Sequence, residues 1–173
     1  MTDPDRAYAP PTLLTALHEI VGFRSGEPSL DDWLRERALA NMAVGATRTY
    51  VITPSGSYRV VGYYALCMGH ILSQEVTGSM RRNMPRYIPA VVLGRLAIDT
   101  DWQGKGLGRS LLHDAVMRSL RASREVSARL LVVHAISPEA EAFYRRYGFT
   151  RLPVETPTLA LDLVKLGVIA DGP

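Results

Sequence analysis

A chain of 173 residues with 47% hydrophobic and 21% charged side chains has the balance of a soluble globular protein. It is long enough to bury about 70% of its unfolded surface without a disulfide or metal staple. No apolar run nears the ~20 residues of a membrane span, and the acidic start with Asp3, Pro4 and Asp5 has neither the basic nor the apolar region of a secretory signal. The expectation is one domain over residues 1–173, in the cytoplasm. Cys67 is the only cysteine, which excludes an internal disulfide; its place in the apolar run Val60–Met68 predicts a buried, inert thiol.

The net charge of +3 is unevenly spread. Residues 1–40 carry seven acidic and four basic side chains, whereas residues 79–95 carry Arg81, Arg82, Arg86 and Arg95 with no acid. Arginine's planar fork suits phosphate, so Arg81, Arg82 and Arg86 are candidates for gripping a polyanion. Solvated surface positions account for such a run equally well.

Along the chain, Pro10 and Pro11 precede Thr12-Leu13-Leu14, a short positioning segment. Ser29 followed by Asp32 has the spacing of a capping box, and Leu30, Trp33, Leu34 and Ala38 recur at helical spacing toward Met42. Arg48–Thr53 and Tyr58–Met68 are rich in strand-forming residues around the turn residues Pro54-Ser55-Gly56-Ser57, which predicts an antiparallel hairpin. Ser79–Pro89, with two prolines and three arginines, reads as a surface loop.

Val91–Ile98 reads as a strand whose interior Gly94 marks a bulge or a close approach by a ligand. Leu107, Leu111, Leu112, Ala115, Val116 and Leu120 form one helical stripe, and Ala128–Ile136 a second buried strand, so strand, glycine turn, helix and strand make a βαβ crossover. His134, inside that apolar strand, reads as a core residue. Ser137 and Pro138 open a further helix of about 10 residues that Gly148 closes. Phe149–Pro153 and Thr158–Val164 supply two last strands, the latter alternating Leu159, Leu161 and Leu163. The order is that of an α+β fold with a mixed sheet; no internal repeat is present.

Between strand and helix stands Gln103-Gly104-Lys105-Gly106-Leu107-Gly108, with Arg109 and Ser110 following. Glycines admit φ > 0 and a close backbone approach, while the free N–H groups and dipole of a helix start attract an anion. The stretch is suited to a pyrophosphate. It is not a nucleoside-triphosphate loop, because Lys105 sits between glycines and no Gly-Lys-Ser/Thr end follows; it is not a dinucleotide fingerprint, because too little chain remains for a second half.

Gln103-x-x-Gly106-x-Gly108 resembles the Gln/Arg-x-x-Gly-x-Gly/Ala loop of the GNAT acetyltransferases. The strand before it and the pattern Ala140-x-x-Phe143-Tyr144-x-x-Tyr147-Gly148-Phe149 resemble the same family. That resemblance implies the GNAT fold, a central mixed, mostly antiparallel sheet of six to seven strands with about four helices. It implies acetyl-CoA as co-substrate, held by Gln103, Gly104, Lys105, Gly106, Leu107, Gly108, Arg109 and Ser110 and by the strand residues Leu96, Ala97 and Ile98. It also implies Tyr144 as proton donor to the leaving thiolate. Core packing is the competing reading of Phe143, Tyr144 and Tyr147. Ile98 or a neighbour offers a main-chain N–H to the developing oxyanion. His70, His113 and His134 are scattered, no carboxylate pair presents a general base, and no metal site is read.

Over nearly the whole chain, Phe23-Arg24-Ser25-Gly26, Leu30-Asp31-Asp32-Trp33-Leu34, Val61–Leu66 and Pro89–Asp99 resemble the GNAT toxins of bacterial toxin–antitoxin modules. Ser25 departs from a Cys in many relatives, and Ser137 from an Asn in many GNAT enzymes. The implied activity is acetylation of the α-amine of aminoacyl-tRNA, which stops translation, with Arg81, Arg82 and Arg86 toward tRNA. The implied partners are a ribbon-helix-helix antitoxin and a second copy in a homodimer. Two alternatives stay open: acetylation of a protein or small-molecule amine, and a module that binds acetyl-CoA or nucleic acid without turnover.

Overall fold

The computed structural model describes residues 7–171; the acidic start around Asp3 and Asp5 lies outside the described residues. In chain order the elements are β1 (Thr12–Leu13), α1 (Pro28–Glu36), α2 (Ala38–Ala43), β2 (Arg48–Ile52), β3 (Gly62–Leu72), β4 (Tyr87–Ile98), α3 (Leu107–Ala122), β5 (Leu130–His134), α4 (Pro138–Arg146), β6 (Thr150–Arg151), β7 (Thr158–Asp162) and α5 (Leu163–Asp171). The strands form one seven-stranded sheet in the order β1-β2-β3-β4-β5-β7-β6. The pairs β1–β2, β2–β3, β5–β7 and β6–β7 are antiparallel and β4–β5 is parallel, which is the mixed, mostly antiparallel sheet expected. Packing divides the chain into two compact units: residues up to Leu66 with Arg95–Ala115, and Cys67–Gly94 with the chain from Val116.

In the first unit, α1 starts at Pro28 with Glu27 as its cap position and no side-chain cap. The expected capping box does not form. Ser29 lies inside the first turn and donates to Glu27 Oε1 at 2.9 Å, so it is not at the position from which it could cap. Leu30, Trp33 and Leu34 are buried, as their spacing predicts. Arg37, at φ −120° and ψ −30°, breaks the predicted single helix into α1 and α2.

The hairpin of β2 and β3 runs from Arg48↔Leu66 to Ile52↔Gly62. Its connection is longer than the four-residue turn expected, because β3 begins only at Gly62. A Cβ at Gly62 would stand 2.7 Å from Ile98 Cδ1, which is why a strand starts on glycine there. Thr12 and Leu13 pair with Val51 and Tyr50 as an edge strand that two residues between prolines and a loop could not announce. The core gathers Phe23, Trp33, Leu34, Val51, Tyr63 and Ala97 among others. Tyr63 stacks on Trp33 and donates its hydroxyl to Leu30 O at 2.7 Å.

In the second unit, β4 starts at Tyr87, so Pro89 lies inside a strand and not in the expected loop. Proline cannot donate to a ladder, but its carbonyl accepts from Arg129 N at 2.8 Å. The register with β5 runs from Ala90↔Leu130 to Leu93↔Val133, and β5, α3 and β4 are connected as the predicted βαβ crossover. Ile71, Ile88, Ala90, Leu130, Val132, Leu152 and Ala160 build the core. Cys67 is only half-buried, contrary to expectation. The strand predicted to Val164 ends at Asp162, whose Oδ1 accepts from Lys165 N at 3.0 Å. That acceptor starts α5, a fifth helix that the leucine alternation concealed.

Candidate active site

In the first unit the glycine loop hangs from the end of β4. Asp99, 2% exposed, caps the 3₁₀ turn Thr100–Trp102 by accepting from Asp101 N at 3.1 Å, while its other oxygen accepts from Arg24 N at 3.1 Å. Thr100 N returns a bond to Arg24 O at 2.8 Å. Gln103 then donates its side-chain amide to Ser25 O at 2.9 Å and to Ile98 O at 3.0 Å. Ser25 is held in turn by Asp31 of α1, which accepts from both Ser25 N and Ser25 Oγ. The segment Phe23–Leu34 singled out in the sequence is therefore a clasp around the base of the loop. Gln103, expected among the ligand-facing residues, spends its amide on the protein.

Gly104 and Gly106 adopt φ of +74° and +81°. A Cβ at either would meet no atom within 4 Å, so the requirement for glycine is conformational. The turn delivers the chain into α3, where Ser110 N bonds Gly106 O at 3.2 Å. The N–H groups of Leu107, Gly108 and Arg109 precede that bond and have no acceptor within the helix. They open at a solvent-facing loop, the arrangement an anion needs. Ser110 Oγ lies 3.3 Å from Gly106 O, and Lys105 Nζ lies 4.5 Å above the Trp102 ring. Leu107 is buried and anchors the helix start. Leu96, Ala97 and Ile98 close β4 just before the turn, with the Ile98 carbonyl held by Gln103.

In the second unit, α4 is built as its sequence predicts: Ser137 Oγ accepts from Ala140 N at 3.1 Å, Pro138 opens the helix, and Gly148 at φ +93° follows its end. Acids in the first turn and Arg145 and Arg146 in the last oppose the helix dipole. Tyr144, 6% exposed, has ring neighbours in Phe143 at 5.3 Å and Phe149 at 5.5 Å. Burial pushes its phenol well above the ordinary value near 10, so it stays protonated. The ring is part of the core, and the hydroxyl remains an O–H. Tyr147, half-buried, meets Phe143 edge-on at 5.1 Å.

His134 is exposed at the end of β5, against the core placement expected, with Nδ1 2.9 Å from Thr158 Oγ1; it is the last residue of a strand whose other four are buried. Arg81, Arg82 and Arg86 are all exposed, on the turns before β4. Sequence reasoning passed over two neighbours of that run: Tyr87, whose ring centroid lies 5.4 Å from the Arg86 guanidinium, and His70, which meets Tyr87 edge-on at 5.1 Å. Tyr87 falls within the expected loop, so no pattern in the sequence singles it out. The second unit also has an apolar groove of about 740 Å³ lined by Met84, Leu120, Leu163 and Val168, and none of the predicted site residues lines it. Among the described residues no cluster of His, Cys, Asp or Glu is arranged to hold a metal ion, and no helix is long and apolar enough to cross a membrane.

Comparison with known proteins gives this geometry a lineage. The chain is 43% identical over 154 residues to a tRNA-acetylating toxin of Mycobacterium tuberculosis, covering 89% of this chain and 92% of that one. A solved structure of AtaT complexed with acetyl-methionyl-tRNAfMet is similar with a TM-score of 0.87 at 28% identity, covering 94% of this chain and 99% of that one. A Tyr-to-Phe mutant of AtaT, bound to the C-terminus of the antitoxin AtaR and acetyl-CoA, is similar with a TM-score of 0.82 at 26% identity, covering 96% and 100%. Residues 57–151, which hold β3, β4, the glycine loop, α3, β5 and α4, match the acetyltransferase (GNAT) domain. A glycine turn between a strand and a helix, a buried tyrosine on a capped helix and these relatives agree, and the chain belongs to the GNAT family of acetyltransferases.

Proposed function

We propose that this protein is an N-acetyltransferase toxin that uses acetyl-CoA to acetylate the α-amine of aminoacyl-tRNA and so blocks translation in a bacterial cytoplasm. The observation that carries the reading is the 43% identity, over 89% of the chain, to a tRNA-acetylating toxin. The antitoxin-bound relative supports a neutralising antitoxin; a ribbon-helix-helix partner and a homodimer complete the proposal.

Acetyl-CoA supplies the acetyl thioester. The main-chain N–H groups of residues 104–109, with Lys105 and Arg109, hold its diphosphate, and the positive φ of Gly104 and Gly106 presents them. Leu96, Ala97 and Ile98 line its arm, and an N–H at or beside Ile98 stabilises oxyanion charge. Tyr144 supplies the proton for the departing sulfur. No dedicated base is required for this acceptor: an α-amine has a pKa of about 7.7–8.0 against about 10.4 for lysine, so roughly a tenth of it is neutral at pH 7. Arg81, Arg82 and Arg86 grip tRNA phosphates.

The test is incubation of the protein with labelled acetyl-CoA and charged tRNA. Label should co-migrate with tRNA and leave as an N-acetylated amino acid when the ester is hydrolysed. Label confined to protein or to free amines would overturn the reading.

A further inference from the structure

The three arginines before β4 explain an attraction to phosphate, but not the residue that follows them. Tyr87 opens β4 with 54% of its surface exposed, beside a fully buried Ile88. Its ring has the Arg86 guanidinium 5.4 Å from its centroid, and exposed His70 of β3 meets it edge-on at 5.1 Å. Met68, two residues before His70 and thus on the same face of β3, is 55% exposed. The Arg86 carbonyl accepts from Ser73 N at 2.9 Å, which ties the start of β4 to the turn that follows β3. Between residues 79 and 95 there is no acidic side chain.

An exposed aromatic ring, a guanidinium plane and an imidazole form a surface suited to unpaired nucleobases. Single-stranded RNA is held by stacking on aromatic and arginine planes, while phosphates are held by neighbouring cations. We infer that Tyr87, with Arg86 and His70, is a stacking platform for the unpaired 3′ end of the tRNA substrate, beside the phosphate-gripping Arg81 and Arg82. The inference rests on the reading of aminoacyl-tRNA as substrate. Stacking is tolerant of base identity, so the platform contributes affinity and orientation for a strand end shared by all tRNAs.

The experiment measures binding of two deacylated tRNAs to the full chain, one intact and one lacking its unpaired 3′ nucleotides, together with acetyl-CoA binding as a control. Tyr87→Ala should weaken the intact tRNA about 5- to 100-fold, Tyr87→Phe should restore it, and the truncated tRNA should bind both variants alike. Arg81→Ala and Arg82→Ala should weaken both tRNAs and flatten the salt dependence. Wild-type affinity of Tyr87→Ala for intact tRNA, or an equal loss for the truncated one, would overturn the platform alone. So would a Tyr87→Ala variant that loses only antitoxin binding, which would make the patch a protein interface. Failure of the wild type to bind either tRNA would overturn the substrate reading as well.

Discussion

Gln103 and Ser25, 78 positions apart in sequence, are joined by a 2.9 Å hydrogen bond from the glutamine amide to the serine carbonyl. The same amide donates to Ile98 O at 3.0 Å, so one side chain ties the end of β4 and the segment before α1 to the base of the glycine loop. Gln103→Met keeps length and volume but removes both donors. It should weaken acetyl-CoA binding about tenfold and speed hydrogen exchange of the amides at 104–108 in the ligand-free protein, while Gln103→Arg, which restores two donors, should recover both. Unchanged exchange in the methionine variant would show that the clasp does not order the loop.

Gly106 and Gly108 are expected to respond differently to alanine, although both belong to the motif. Gly106 has φ +81°, so Gly106→Ala strains the backbone and should cost about 1–2 kcal/mol of stability as well as coenzyme affinity. Gly108 lies in the first turn of α3. Gly108→Ala should stabilise the ligand-free protein by up to about 1 kcal/mol through helix propensity, yet weaken acetyl-CoA binding if the proposed loop holds the diphosphate, because its Cβ would stand in the way. Thermal melts with and without coenzyme separate the two effects.

Tyr144→Phe should lower kcat about 10²–10⁴-fold with little change in coenzyme affinity, since the ring that packs on Phe143 and Phe149 is retained. Burial raises the phenol's pKa above its ordinary value near 10, so the O–H persists through the alkaline range and its ionisation should add no fall in kcat below about pH 10. Tyr63 is shifted in the same direction, chiefly by burial. The sign follows: a folded pKa above the unfolded one gives stability that is complete below about pH 10 and is lost as pH rises beyond it. Urea titrations from pH 9 to 11 should show that loss, reduced in Tyr63→Phe relative to wild type. A flat profile would contradict the burial argument.

Asp162 joins two interactions at the end of β7. One oxygen lies 2.7 Å from the Arg129 guanidinium, and the other caps α5 through Lys165 N. Asp162 is 7% exposed, and Arg129 Nε is buried without a partner. Asp162→Ala should therefore cost about 2–4 kcal/mol, since it takes the carboxylate from a partly exposed guanidinium that keeps its bond to Ser79 O and removes a helix cap. Asp162→Asn, which keeps an acceptor for Lys165 N, should cost less. Equal stability of both variants and the wild type would show that Arg129 reaches solvent when unpaired.

Local chemistry decided what the sequence alone made legible. The glycine loop, the Ser137-Pro138 start and Gly148 end of α4, the β4–α3–β5 crossover and the helical stripe through Leu107, Leu111 and Leu120 follow from positive φ, caps and periodicity, which act within a few residues. Tertiary structure decided what depends on distant partners. Thr12 and Leu13 become a strand only because β2 offers an edge; Pro89 sits in β4 because Arg129 uses its carbonyl; Leu163 leaves the strand because Asp162 caps a helix there. The clasp that joins Phe23–Leu34 to the loop through Gln103, and the exposed pairing of His70 with Tyr87, were equally invisible, because hydrogen bonds and ring contacts between remote segments leave no period in the chain that makes them.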